Sequence, residues 1–242
     1  MNATIRAVIV NADDFGQSAG INHGIVDAHE RGVVTSASLM VRGVAARGAA
    51  AYARAHPNLS IGLHVDLGEW WCRGGEWIRL YERVVRGDPA AVAAEIGEQV
   101  ERFRDLLGRN PTHLDSHQHA HRLDPARTIL LELAAALGVP LRECSAAVRY
   151  DGRFYGQSAD GGTIPDALTG TYLAHLLRRL PPGITELGCH PGYAGSVSTM
   201  YCDERAAEVE ALCSPEVRRV FDETDLRLMS FEELSRPLQD RC

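Results

Sequence analysis

Apolar and polar positions along this chain follow two periods that take turns. Ile5 to Val10 is a largely apolar, β-branched run, which predicts a buried strand; Gly16 and Ser18 supply the turn and helix-cap chemistry that ends it. Ile21, Ile25, Val26 and Ala28 then recur at helical spacing up to Gly32. Val33–Val41 reads as a second strand, and Gly43–Ala55, Ala-rich and stopped by Pro57, as a second helix. Leu59–Leu67 is a third strand with His64 near its C-terminal end. Gly68–Leu80 carries Trp70, Trp71, Gly74, Gly75 and Trp77 with no period and predicts an inserted loop. Pro89–Leu107 places Val92, Ile96, Val100, Phe103 and Leu107 on one helical face. A helix at Pro125–Leu137 closed by Gly138, a strand at Val139–Arg142 and a long aperiodic loop at 143–170 follow. Thr171–Leu180 is a helix, and Ile184–Cys189 a strand ending in the turn His190–Tyr193. Helices at Ala206–Leu212 and Pro215–Asp222, a short strand at Leu226–Met229 and a helix from Phe231 complete the order.

This repetition of strand and helix is the pattern of parallel βαβ units, whose functional residues gather beyond the C-terminal ends of the strands. With 242 residues, 45% of them hydrophobic, the chain is long enough for one large core, so a single α/β domain over 1–242 is expected. A net charge of −7 argues against nucleic acid, which needs a basic face. All 25 basic residues are Arg. No run of about 18 apolar residues and no signal-peptide pattern is present, so a cytoplasmic protein without a membrane span is expected. Cys72, Cys144, Cys189, Cys202, Cys213 and Cys242 show no CxxC spacing and read as buried or incidental thiols, Cys189 standing out because it precedes His190.

The chemistry sits at strand ends. Asp13 and Asp14 leave the first strand side by side, and both can serve one site only where the backbone turns, because neighbouring strand residues face opposite ways. Pro111–His121 holds four of the ten histidines. If extended, it sets His113, Asp115, His117 and His119 on one face; if helical, His117 and His121 lie one turn apart. One carboxylate and two imidazoles make a common catalytic metal site, and Asp14, His64 and His117 are the candidates, a set that suits zinc. Asp115, two residues before His117, is expected to orient that imidazole or a water.

Asn-Ala-Asp-Asp-Phe-Gly, Val-Thr-Ser-Ala-Ser with Met40-Val41, Ile-Gly-Leu-His, Pro-Thr-His-Leu-Asp-Ser-His-Gln-His and Cys-His-Pro-Gly occur here in that order. Together they resemble the YdjC-like carbohydrate deacetylases of the chitooligosaccharide deacetylase type, from residue 5 to about 195. The resemblance implies a distorted (β/α) barrel of the polysaccharide-deacetylase type that removes the acetyl group from an N-acetylated amino sugar. It implies one divalent metal ion, magnesium by family pattern, on Asp14, His64 and His117, with Asp13 as general base and His190 as general acid. His119 and Arg142, the latter in the family's Leu-Arg position, join Asp115 as residues that support the metal or the substrate. The rings of Trp70, Trp71 and Trp77, with Tyr155 and Tyr193, suit a wall for the apolar face of a sugar, a contact between two copies of the chain, or a cap on the barrel core. Two other readings remain open: a different metal hydrolase, such as a phosphoesterase or cyclic-amide hydrolase, and a sugar-binding protein without chemistry. A phosphoesterase calls for a second metal or an Arg clamp, for which only Arg142 is placed.

Overall fold

The computed structural model describes residues 5–73, 75–158, 161–193 and 200–235; Gly74 and Cys242 lie outside them. Along the chain run β1 (Arg6–Phe15), α1 (Ala19–Glu30), β2 (Ser36–Leu39), α2 (Ala46–Ala55), β3 (Ser60–Val65), β4 (Gly68–Arg73) and β5 (Glu76–Glu82). They are followed by α3 (Pro89–Leu107), β6 (Leu114–Ser116), a 3-10 turn (His117–Arg122), α4 (Ala126–Leu137), β7 (Arg149–Asp151), a second 3-10 turn (Pro165–Leu168) and α5 (Gly170–Arg178). The series ends with β8 (Gly183–Cys189), α6 (Glu204–Leu212), α7 (Pro215–Glu223), β9 (Arg227–Met229) and α8 (Phe231–Leu234). Among the described residues no helix is long and apolar enough to cross a membrane.

The main sheet is parallel, in the order β6-β3-β2-β1-β8-β7. The edge of β1 opposite β8 is shared: β9 pairs with Ala7–Ile9 and β2 takes over from Asn11. Alternation along β1 assigns the two faces. Val8, Val10 and Ala12 join the large core beneath the helices, whereas Ala7 and Ile9 join a smaller cluster with Val148, Met229 and Phe231 inside the curl of the sheet. The same inner face continues upward through Asn11 and Asp13. On β2 and β3 the outer face is Ala37, Leu39, Ile61, Leu63 and Val65, while Ser36, Ser38, Ser60, Gly62 and His64 fill the inside. Gly62 is required there, since a Cβ would lie 2.4 Å from the His113 ring. A greasy floor thus passes into a buried polar layer, and that layer is the base of the site.

Several sequence expectations are corrected. β1 runs to Phe15 rather than stopping at Val10, and β2 is confined to Ser36–Leu39 instead of Val33–Val41. Gly68–Leu80 is a hairpin, not a loop: β4 and β5 pair antiparallel around Gly75, with a register shift between Glu69 and Trp70 that hides the alternation. Trp77, Ile78 and Leu80 on it are exposed, so local main-chain pairing forms it without the burial that a periodic pattern reports. Val139–Arg142 is not a strand. Only Leu141 bridges to Leu114, because Pro140 has no N–H to give and Glu143 turns away at φ 60°. Residues 143–170 are not one long loop: they hold β7, the Pro165–Leu168 turn and the buried Val148, Phe154 and Leu168.

Candidate active site

The top of β1 brings both acids to one place. Asp14 adopts φ 67°, and the β1–β2 register shifts between Ala12 and Phe15. This break in alternation turns the Asp14 carboxylate into the same cavity that Asp13 already faces. The cavity, about 760 Å³, is also lined by His64, His117 and His190, from the ends of β3, β6 and β8.

Asp14 is the meeting point. Its Oδ1 lies 3.0 Å from His117 Nδ1 and 3.3 Å from His64 Nε2, while Oδ2 accepts from Arg205 at 2.6 Å. The other ring nitrogen of His64 faces Asp115 Oδ1 at 2.7 Å, which fixes the imidazole and leaves Nε2 for the Asp14 side. One ligand atom from each of Asp14, His64 and His117 falls within a 4.8 Å circle. His117 Nε2 is buried without a hydrogen-bond partner. Two imidazoles, a carboxylate and an orphaned ring nitrogen fit a divalent metal ion. Burial by itself would depress His64, but Asp115 and Asp14 hold it well above the ordinary imidazole range. His117, likewise buried, is pushed up to about 9 by its bond to Asp14.

Asp13 stands on a different support. Arg142 donates to both of its oxygens, at 2.6 and 2.7 Å, and Asn11 Nδ2 donates to Oδ1 at 3.0 Å. The same guanidinium reaches Asp115 Oδ2 at 2.8 Å and Glu186 Oε1 at 2.7 Å. Burial works against ionisation of Asp13, yet Arg142 holds it below the usual carboxylate range. One cation does not balance three buried carboxylates, and burial raises Glu186 to about 7. Asp115 therefore orients His64, not His117 as its sequence position suggests. Because all of its planar fork is engaged by carboxylates, Arg142 is not free to clamp a phosphoryl group.

His190 Nε2 lies 3.7 Å from Asp13 Oδ2, and its Nδ1 is buried without a partner. Glu208 accepts from its backbone N–H and from the Tyr201 hydroxyl. Burial lowers the imidazole to about 4, so it is neutral at rest. His113 is not at the site: it stacks on Phe231 at 3.9 Å and bonds Ser38 and Thr112. His119 reaches the cavity rim, as do Trp70, Trp77 and Tyr155, but Trp71 does not line it. Tyr193 points elsewhere, donating to Asp27 at 2.6 Å, because Gly192 packs directly against Gly24 and seats that turn on α1. Cys189 is buried with its thiol on the Asn11 carbonyl.

Several site residues escaped the sequence reading. Arg205 and Glu208 lie with Glu204 on the buried face of α6, three and four positions apart, and nothing in a charged helix signals which charges turn inward. Glu69, whose Oε2 is 3.8 Å from His117 Nε2, sits in the hairpin read as a loop. Glu186 and Ser38 betray themselves only as polar residues inside strands, a signal that strand alternation would have flagged as inward. Asn11 belongs to the first motif.

Comparison with known proteins agrees with this architecture. The family described as YdjC-like protein matches residues 7–223. A chitooligosaccharide deacetylase of Serratia marcescens is 34% identical over 262 aligned residues, covering 95% of this chain and 99% of that protein. A candidate cellobiose-phosphate cleavage protein from Enterococcus faecalis superposes with a TM-score of 0.78 at 25% identity, over 96% of this chain and 100% of that one. A candidate polysaccharide deacetylase from Mycobacterium smegmatis shares the fold, with a TM-score of 0.61 at 13% identity over 97% and 90% of the two chains. The fold is accordingly the distorted α/β barrel of polysaccharide deacetylases, and the chain belongs to the YdjC-like family.

Proposed function

We propose that this chain is a metal-dependent carbohydrate deacetylase that hydrolyses the N-acetyl amide of an amino sugar or its conjugate and releases acetate. The observation that carries the reading is the cavity in which Asp14, His64 and His117 converge beside Asp13 and His190. The deacetylase name of a full-length relative at 34% identity supports the substrate class.

An amide is a poor electrophile with a poor leaving group. Its hydrolysis needs an activated water, a place for charge on the acyl oxygen and a proton for the amine. Asp14, His64 and His117 would hold a divalent ion, which when bound would supply a lowered pKa for water and polarisation of the acyl oxygen. Asp13, kept ionised by Arg142, accepts the proton of the attacking water. His190, 3.7 Å from Asp13 and neutral at rest, takes up that proton and delivers it to the departing nitrogen. Trp70, Trp77 and Tyr155 offer ring faces to the sugar. Arg205 and Asp115 hold the ligating Asp14 and His64 in place. The engagement of Arg142 by three carboxylates weighs against the phosphoesterase alternative.

The test is acetate release across a panel of N-acetylglucosamine oligomers and conjugates, with and without a chelator. Chelator-sensitive release is expected, restored by added magnesium or zinc. No release from any member of the panel would overturn the reading and favour sugar binding alone.

A further inference from the structure

A second group of metal-type donors stands on the same turn. His119, His121 and Glu143 each offer one ligand atom within 4.8 Å of the others. None of the three belongs to the Asp14–His64–His117 group. Ser116 Oγ engages His121 Nδ1 at 2.7 Å, and His121 Nε2 faces Glu143 Oε2 at 3.3 Å. A bond on one ring nitrogen that aims the other is how ligating histidines are held. His119 Nδ1, 3.9 Å from the same carboxylate oxygen, is buried and has no hydrogen-bond partner, a state that is unfavourable for a polar atom. The backbone is unusual at the same spot: Gln118, His119 and Glu143 adopt φ of 49°, 52° and 60°. Left-handed conformations at non-glycine residues persist where the surroundings impose them, and they cluster at functional sites.

We propose that His119, His121 and Glu143 form a second divalent-metal site, of the zinc class, that clips the His117–Arg122 turn to Glu143. Two imidazoles and one carboxylate suit zinc and leave a fourth position for water. Arg122 is the competitor, donating to Oε2 of Glu143 at 2.6 Å and to Oε1 at 2.7 Å. Its side chain is half exposed, so it can yield Oε2 to the ion and keep Oε1. Glu143 follows Arg142, which holds Asp13, and the clipped turn begins at His117. The second ion therefore braces both halves of the site from outside.

The experiment is zinc content per chain after equilibrium dialysis, with circular dichroism to verify folding, and visible absorption of the cobalt-loaded protein as a second readout. The full chain is expected to hold about two equivalents, and Glu143→Gln, His119→Gln and Asp14→Ala about one each. Cobalt bands should persist in Asp14→Ala and vanish in the Asp14→Ala, Glu143→Gln double variant. An Asp14→Ala chain that binds no zinc overturns the clip, as does a folded Glu143→Gln chain with the full count. If Asp14→Ala leaves the count unchanged while Glu143→Gln lowers it, the clip stands and Asp14 is removed from the first site.

Discussion

Around Arg142, three buried carboxylates meet one guanidinium, and the arrangement separates two adjacent aspartates by task. Asp13 is bound by Arg142 and Asn11, and Asp14 by Arg205, His64 and His117. Asp14→Ala, His64→Ala and His117→Ala should each abolish tight binding at the first metal site and acetate release while the chain stays folded; full first-site occupancy in any of them would remove that residue from the ligand set. Asp13→Asn should keep the metal and lower kcat by about 10²-fold or more, as expected for loss of a positioned base. Retention of more than about a tenth of the turnover would contradict that role. Metal affinity should also rise with pH. In the metal-free chain His117 titrates near 9 and His64 well above its ordinary value, so an ion must displace their protons. Calorimetric titration in two buffers of different ionisation enthalpy should detect proton release at neutral pH; its absence would mean the histidines are not the ligands.

At the scale of elements, the β4–β5 hairpin supplies Glu69, Trp70 and Trp77 to the cavity wall, and under the proposed function it is the element expected to set what the cavity accepts. It is fastened at its root, where Arg83 and Tyr81 bond the buried Asp66, and at Trp70, whose backbone N–H and C=O are bracketed by the Gln118 amide at 2.9 and 2.6 Å. Arg86 stacks on the Trp70 ring at 3.7 Å, while Trp77 is 55% exposed. Trp77→Ala should raise KM for N-acetylglucosamine oligomers about 3- to 10-fold with kcat little changed, the size of an aromatic contact. Light scattering on the same variant separates this from a contact between two copies. A changed mass with unchanged KM would assign the hairpin to an interface instead.

The whole molecule carries buried histidines of opposite sign. His113 and His190 are depressed by burial from 6.5 to about 4, so the unfolded chain binds more protons in that window and stability falls as pH drops through it. Each contributes up to roughly 3 kcal/mol above pH 6.5. His117, raised to about 9, stabilises the metal-free fold fully below 6.5 and loses that contribution as pH climbs to 9; His64, held well above its ordinary value, contributes with the same sign. Urea midpoints of the chain without metal should therefore carry an acid-side contribution from His113 and His190 and an alkaline-side one from His117 and His64, which single-histidine variants resolve. His113→Gln should flatten the acid limb without touching the alkaline one. An acid limb unchanged in that variant would show that His113 is not buried neutral.

By itself the sequence determined the order of strands and helices apart from the β4–β5 hairpin, β7 and the false strand at Val139–Arg142, the placing of Asp13, Asp14, His64 and His190 at strand ends, and the motifs that mark the family. These are local matters: a β-branched run or a capped amphipathic helix is set by residues a few places apart, and parallel βαβ units send their C-terminal ends to one rim. Only the tertiary structure decided which charges meet. Arg205 reaches Asp14 across 191 positions and Arg142 reaches Asp13 across 129, because β1 lies centrally in the sheet beside β8 and the chain returns over it. Asp115 turned to His64 rather than His117 because β3 and β6 pair in register at those two residues. The hairpin went unread because Trp77, Ile78 and Leu80 on it are exposed rather than buried. Asp14 and His119 owe their directions to left-handed backbone, which no side-chain pattern announces; it is imposed by the packing around them.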